Sequence, residues 1–362
     1  MMSSVEHIIR AVEQGERLQA DAALTLWREA PLWRLAELAL ERKRAVSGDK
    51  VYYNRNFHLE PTNICVFNCK FCSYRRPKGS AEAWDMSMDD VMRYVECYRG
   101  SGVTEVHIVG GVHPEHDIYY YVEMIRRIKE LLPQVAVKAF TAIELSYMIR
   151  RAGLSLDEGL RLLIQAGMEA IPGGGAEIFD EQIREQICPE KGSTEEWLEV
   201  HRTAHHLGLK TNATMLYGHI ESLEHRIDHL MRLRALQDET SGFNAFIPLK
   251  YRNFGNSLSA LGEVPIVDDL RTLAMSRLVL DNVPHIKAYW VMYGKQTTEL
   301  ALSFGADDID GTIDDSTKIY SMAGAEEQRP KMSVAEMHAM VERVGLRAVE
   351  RDTMYNEITD KK

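Results

Sequence analysis

Residues 104–141 read TEVHIVGGVHPEHDIYYYVEMIRRIKELLPQVAVKAFT. The run 104–109 is rich in β-branched residues and ends on Gly110-Gly111, the mark of a short strand leaving through a turn. Residues 117–131 carry apolar side chains at three- and four-residue spacing and read as a helix, and 135–141 reads as a strand again. Strand, helix and strand in succession imply a parallel pair joined by a right-handed crossover. The same alternation runs outward in both directions. Further strands are expected at 54–60, 168–171, 210–216, 243–248, 286–291 and 306–310, with helical patterns near 87–100, 156–166, 194–207, 223–239, 266–281 and 296–303. Eight strands separated by helices predict an α/β fold, a (β/α)8 barrel of the TIM type over residues 51–330. A doubly wound open sheet gives similar alternation. Residues 1–50 read as an N-terminal helical extension, and 331–362 as a C-terminal helix (333–345), a short apolar stretch and a tail.

Composition narrows the class. The chain has 362 residues, 45% hydrophobic, and a formal charge of −11. An acidic chain without a basic face argues against nucleic acid and anionic membrane as partners. No stretch approaches the roughly 20 apolar residues of a membrane span, and the N-terminus lacks the features of a signal peptide. Five cysteines fit a disulfide framework poorly. A cytoplasmic protein is the expectation.

In parallel α/β folds ligands gather at the carboxyl ends of the strands, and the unusual clusters of this chain fall there. Asn63-Ile64-Cys65-Val66-Phe67-Asn68-Cys69-Lys70-Phe71-Cys72 follows the first strand, Gly110-Gly111-Val112-His113-Pro114 the second, and Thr141-Ala142-Ile143-Glu144 the third. Pro172-Gly173-Gly174-Gly175-Ala176-Glu177 follows the fourth, Tyr217-Gly218-His219 the fifth, and Lys250-Tyr251-Arg252 the sixth. Three thiolates on one short loop select zinc, copper(I) or iron–sulfur. Structural zinc usually takes four ligands, and Cys97 and Cys188 are isolated in sequence. Zinc completed by a remote histidine, or an incidental cysteine cluster, are the other readings. Cys97 is expected to be a small buried hydrophobe. His205 and His206 read as residues at a helix C-terminus, where the dipole favours them.

The CxxxCxxC loop after the first barrel strand, with an aromatic before the third cysteine, resembles the radical S-adenosylmethionine (SAM) superfamily. That resemblance implies that Cys65, Cys69 and Cys72 hold a 4Fe–4S cluster whose open iron is chelated by SAM, with Phe71 near the adenine. Gly110 and Gly111 match the family's glycine-rich turn, where the backbone approaches the methionine amino group. The stretch 214–221 resembles the family's GxIxGxxE pattern, with Leu216 against the adenine and Thr214 in place of the first glycine. Glu144 and Lys191 are implied partners of the ribose and carboxylate. The segments Asn63-Ile64-Cys65, 110–114 and 172–177 are similar to one subgroup, the futalosine-pathway enzymes of menaquinone biosynthesis and the deazaflavin-forming synthases. Within it, 212–221 and 307–312 are closest to a transferase in which the adenosyl radical adds to an enol-ether double bond, so that SAM is consumed as a cosubstrate. The implied substrate is a small molecule with two carboxylates, and the implied electron donor is a carrier such as flavodoxin or ferredoxin. Two carboxylates call for local positive charge, and Arg75, Arg76, Lys78, Lys250 and Arg252 all fall on loops at strand ends. His58, His113 and His219 are the histidines at predicted strand ends, suited to binding a carboxylate or moving a proton.

Overall fold

The computed structural model describes residues 4–316, 319–325 and 330–359. Among these, the strands are β1 (Lys50–Asn54), β2 (Asn56–Leu59), β3 (Glu105–Ile108), β4 (Ala136–Ala139), β5 (Met168–Ile171), β6 (Lys210–Tyr217), β7 (Phe243–Lys250), β8 (His285–Ile286), β9 (Asp308–Gly311) and β10 (Arg347–Glu350). Strands β2 to β8 form one parallel sheet in sequence order. Single bridges, Lys287 beside Asp308 and His58 beside Asp315, carry the curl through β9 and back to β2. The barrel expected from sequence is thus seven laddered strands closed by a looser eighth.

Period two in the strands separates the two faces. On β2 to β4, Phe57, Val106, Ile108 and Val137 are fully buried, and Phe57 stacks on Tyr98 with ring centroids 3.9 Å apart. The alternate positions are polar and meet one another. Lys138 Nζ donates to Glu105 at 2.6 Å, and the His58 and His107 rings lie 4.5 Å apart. Side chains of such polarity survive burial only when paired.

Several boundaries differ from the sequence reading. The expected strand 54–60 is broken at Arg55, whose carbonyl accepts the Thr104 amide at 2.7 Å. The part before the break, β1, joins a separate parallel sheet in the order β10-β1-β9. The apolar stretch after the last long helix is its third strand, β10. The expected strand 286–291 shrinks to two residues. Trp290–Tyr293 is helical instead, with the Trp290 indole donating to the Gly311 carbonyl at 2.9 Å. Among the described residues three further helices escaped the periodicity reading, Ala142–Arg151, Glu181–Ile187 and Ile319–Met322.

The first 50 residues form helices α1 (Ser4–Glu13), α2 (Ala20–Glu29) and α3 (Leu32–Ser47). Helix α3 packs along the barrel helix Ile266–Val279. Arg271 of that helix donates to the Trp27 and Ala30 carbonyls at 2.7 and 2.9 Å, satisfying the C-terminal end of α2. Among the described residues no helix is long and apolar enough to cross a membrane.

Candidate active site

The cysteine loop is laced to its surroundings on three sides. The Cys65 amide donates to Arg76 O at 3.1 Å, the Val66 amide to Val112 O at 3.0 Å, and the Lys70 amide to Ile187 O at 2.8 Å. Asn63 acts as a clasp, accepting the Trp84 amide at 2.8 Å and donating to Glu82 O at 3.0 Å. All three cysteines are partly buried and free. Burial pushes the Cys65 and Cys72 thiols up. The Cys69 thiol is raised by its hydrogen bond to the buried Cys188 and by burial. Thiols held up in this way become good ligands only when a metal takes the place of the proton.

Among the described residues, three metal-ligating atoms come within 4.8 Å of one another at Asp85, His113 and His116. The three cysteine sulfurs are spaced more widely. One tetrahedral zinc with bonds of about 2.3 Å needs sulfurs about 3.8 Å apart. Three free, partly buried thiols on one loop are a soft donor set that suits an iron–sulfur cluster. The histidine group is no metal site. His113 Nδ1 accepts the Glu115 and His116 amides at 3.1 and 3.3 Å, so its proton sits on Nε2, 3.6 Å from Asp85. That nitrogen is a donor to the carboxylate.

Behind the loop, the barrel opens into a cavity of about 350 Å3. Phe71, Cys72, Gly110, Leu216 and Arg252 line it, together with His107, Lys250, Tyr289, Asp310 and Tyr320. A multi-iron cluster on the cysteines would thus sit at the edge of a chamber large enough for a small molecule. Gly111 lies just behind: a Cβ there would be 2.3 Å from Ile64 O. Only glycine lets the turn after β3 cross the cysteine loop so closely. The amide of Gly110 donates to Glu144 at 3.1 Å.

A profile of the radical SAM superfamily matches residues 59–233, and one of the CofH/MqnC C-terminal region matches 240–361. Over 358 residues the chain is 44% identical to an aminodeoxyfutalosine synthase of Thermus thermophilus, covering 97% of this chain and 95% of that protein. The chain belongs to the radical SAM superfamily. A cyclic dehypoxanthine futalosine synthase of Streptomyces coelicolor is 34% identical over 98% of this chain and 89% of its own. In fold, the chain resembles methylornithine synthase, with a TM-score of 0.74, 16% identity and coverage of 94% and 97% of the two chains. This radical SAM protein is an enzyme whose cofactors are a 4Fe–4S cluster and SAM.

The other residues singled out in the radical SAM chain are placed as follows. Glu144 is the closing member of a capping box, accepting the Thr141 amide at 2.8 Å as well as that of Gly110. Burial raises its carboxyl to about 7. Lys191 is buried against Glu177, which raises its pKa, and its Nζ stands 5.4 Å from the Phe71 ring centre. His219 turns back to Leu216 O at 3.1 Å and to Glu221 at 3.2 Å. Glu221 in turn accepts the Gly218 and His219 amides and pairs with Arg226, which fixes the turn after β6. His58 is fully buried below the cavity, with Nδ1 3.0 Å from the Tyr320 hydroxyl. None of His58, His113 and His219 lines the cavity, because each is consumed by a structural bond.

Arg75 lies with Cys69 and Cys72 on an outer groove and not in the cavity. Arg76 and Lys78 pair with Glu82 and Glu115. Lys250 reaches the cavity wall but is tied to Asp269 at 2.9 Å. Arg252 pairs with Glu263 at 3.3 Å and donates to Met292 O at 3.4 Å and Gly324 O at 2.6 Å, while its Nε is buried without a partner. Cys97, expected to be buried, is exposed. His205 is not a helix-end cation: burial holds it near 3, and it bonds Thr240 and Thr211. The sequence reading passed over His107, Tyr289, Asp310 and Tyr320. For His107 a signal existed, since Glu105 and His107 are polar at alternate positions of an otherwise apolar strand. Asp310 sits at φ +70°, a strained backbone for a non-glycine residue and common at working sites.

Proposed function

We propose that this chain is an aminodeoxyfutalosine synthase. The observation that carries the reading is the 44% identity over 97% of the chain to a relative of that name. The cluster supplies one electron when bound, and SAM supplies the adenosyl group. In the net reaction the adenosyl 5′ carbon bonds to the vinyl CH2 of 3-[(1-carboxyvinyl)oxy]benzoate. The aryl group moves from oxygen to carbon, carbon dioxide leaves, and 6-amino-6-deoxyfutalosine and methionine remain. The one electron is returned when carbon dioxide is released, so no net oxidant is needed.

In this reading Cys65, Cys69 and Cys72 hold the cluster, and Phe71, Gly110, Gly111 and Leu216 surround SAM. Lys191 and Glu144 brace that ring of residues from behind through Glu177 and Gly110. Arg252, with an unpaired Nε at the cavity wall, anchors one of the two carboxylates. The apolar remainder of the wall (Val109, Leu216, Ile247, Leu249 and Met292) keeps water from a reactive radical. The reaction fits a cytoplasmic enzyme served by an electron carrier such as flavodoxin or ferredoxin. The test supplies SAM labelled with carbon-13 at the 5′ position together with the enolpyruvyl-benzoate. Label mainly in the larger nucleoside–benzoate product supports addition. Label mainly in free 5′-deoxyadenosine, one per substrate consumed, assigns the chain to a hydrogen-abstracting relative.

A further inference from the structure

The polar groups around the cavity are mostly spoken for. Lys250 is held by Asp269, Thr214 donates to Gly173 O at 2.8 Å, and Thr141 caps a helix. Tyr289 and Tyr320 bond each other, and Tyr320 bonds His58. Among the described residues of the wall, two buried nitrogens are left over. One is the Arg252 Nε, and the other is the Nε2 of His107, buried and without a hydrogen-bond partner. Buried polar atoms without partners are rare, and each asks for an explanation.

The His107 ring is held in place. It rests 4.5 Å from the His58 ring, and His58 is fixed by Tyr320. The charged groups around it are Lys138, Glu105 and Lys287, and burial together with His58 and Lys138 pushes its pKa well below 6.5. A neutral imidazole keeps one N–H to donate. Position adds direction. His107 lies three residues before Gly110 and therefore deeper in the barrel, on the second strand of the laddered sheet. Arg252 lies beyond β7, the sixth strand, and so at the mouth on the opposite wall.

We propose that His107 is the floor contact of the substrate, donating its N–H to the ring carboxylate of the enolpyruvyl-benzoate while Arg252 takes the enolpyruvyl carboxylate at the mouth. The inference rests on the substrate reading above. The reacting double bond must lie beside the adenosyl group at the mouth, so the benzoate end is the one that points inward.

The experiment compares two ligands on cluster-loaded, unreduced enzyme with SAM present: the enolpyruvyl-benzoate and 2-phenoxyacrylate, which lacks the ring carboxylate. Calorimetry gives both Kd values for the unsubstituted protein, His107→Asn and His107→Leu. The unsubstituted protein is expected to prefer the full substrate by about tenfold, the ratio for about 1.4 kcal/mol. His107→Leu should bind both ligands within about twofold of one another, and His107→Asn, which keeps an N–H donor, should restore part of the preference. In turnover, His107→Leu should shift label from the adduct to free 5′-deoxyadenosine. A full preference retained by His107→Leu overturns the proposal, as does an equal loss for both ligands in both variants. If the unsubstituted enzyme binds neither ligand, the substrate reading itself is overturned and the floor contact falls with it.

Discussion

Replacing Gly111 by alanine tests whether the turn after β3 is built around the cysteine loop. The added Cβ would lie 2.3 Å from Ile64 O, 2.7 Å from Ile64 C and 2.9 Å from Asn63 C. Ordinary contact starts at 3.4 Å, so the Ile64 carbonyl must retreat by about 1 Å. It is poorly free to do so. The Ile64 amide donates to Thr62 Oγ1 at 3.1 Å, the Gly111 amide to Thr62 O at 2.8 Å, and the Cys65 amide to Arg76 O. Overpacking of this kind costs about 1–3 kcal/mol. Cys65 is the next residue and shares the displacement, whereas metal–ligand bonds tolerate only about 0.2 Å. Gly111→Ala should therefore lower Tm by a few degrees and reduce iron and sulfide per chain after anaerobic reconstitution. Gly110→Ala is the control. Its Cβ would stand 3.0 Å from Thr62 O, a contact relieved by a few tenths of an ångström, and iron should stay normal. Iron content and Tm of Gly111→Ala equal to those of the unsubstituted protein would refute the reasoning, as would an equal iron loss at Gly110.

Alanine at Cys65, Cys69 or Cys72 should abolish turnover, while Cys97→Ala, at an exposed position, should leave iron content unchanged by metal analysis. Arg252→Met should raise KM for the enolpyruvyl-benzoate, whereas Lys250→Met leaves the buried Asp269 with only the Tyr217 hydroxyl and should cost about 1–3 kcal/mol of stability in a denaturant titration. Stability should also fall in acid. Burial lowers His58 to about 4 and His205 and His229 to about 3, so the folded chain keeps them neutral while the unfolded chain protonates them near 6.5. A histidine whose folded value is depressed contributes stability above its unfolded value and loses it as pH falls from about 6.5 toward 4. Each contributes up to about 1.4 kcal/mol per pH unit. A Tm unchanged between pH 7.5 and 5 would contradict this.

Regular alternation made the barrel legible, since a crossover leaves its period in every βα unit. The cysteine loop was legible because thiol spacing is a local property. What escaped depends on contacts between distant segments. The break at Arg55 is set by Thr104, and the helix at Trp290–Tyr293 by a bond to Gly311, neither of which shows in local composition. Glu144 is a different case. Thr141-Ala142-Ile143-Glu144 is a capping box in sequence as well as in structure, and reading it so would have given both the missed helix and the role of the carboxylate. The histidines at strand ends stand outside the cavity wall for a physical reason. An imidazole buried near backbone carbonyls and amides is used by them first. His107 is left over because its neighbours are satisfied by one another.

The cavity wall is drawn from both matched regions. Phe71, Cys72, His107, Gly110 and Leu216 fall within 59–233, and Lys250, Arg252, Tyr289, Asp310 and Tyr320 within 240–361. Neither region encloses the chamber without the other. Each is half of a mould, and the join runs through the place where the ligand lies. The cysteine ligands all belong to the first half, and the second half reaches their loop through Ser257, whose amide donates to Lys70 O at 2.9 Å. A chain of this design can acquire a new substrate by recasting the second half while the part that holds the cluster stays as it was.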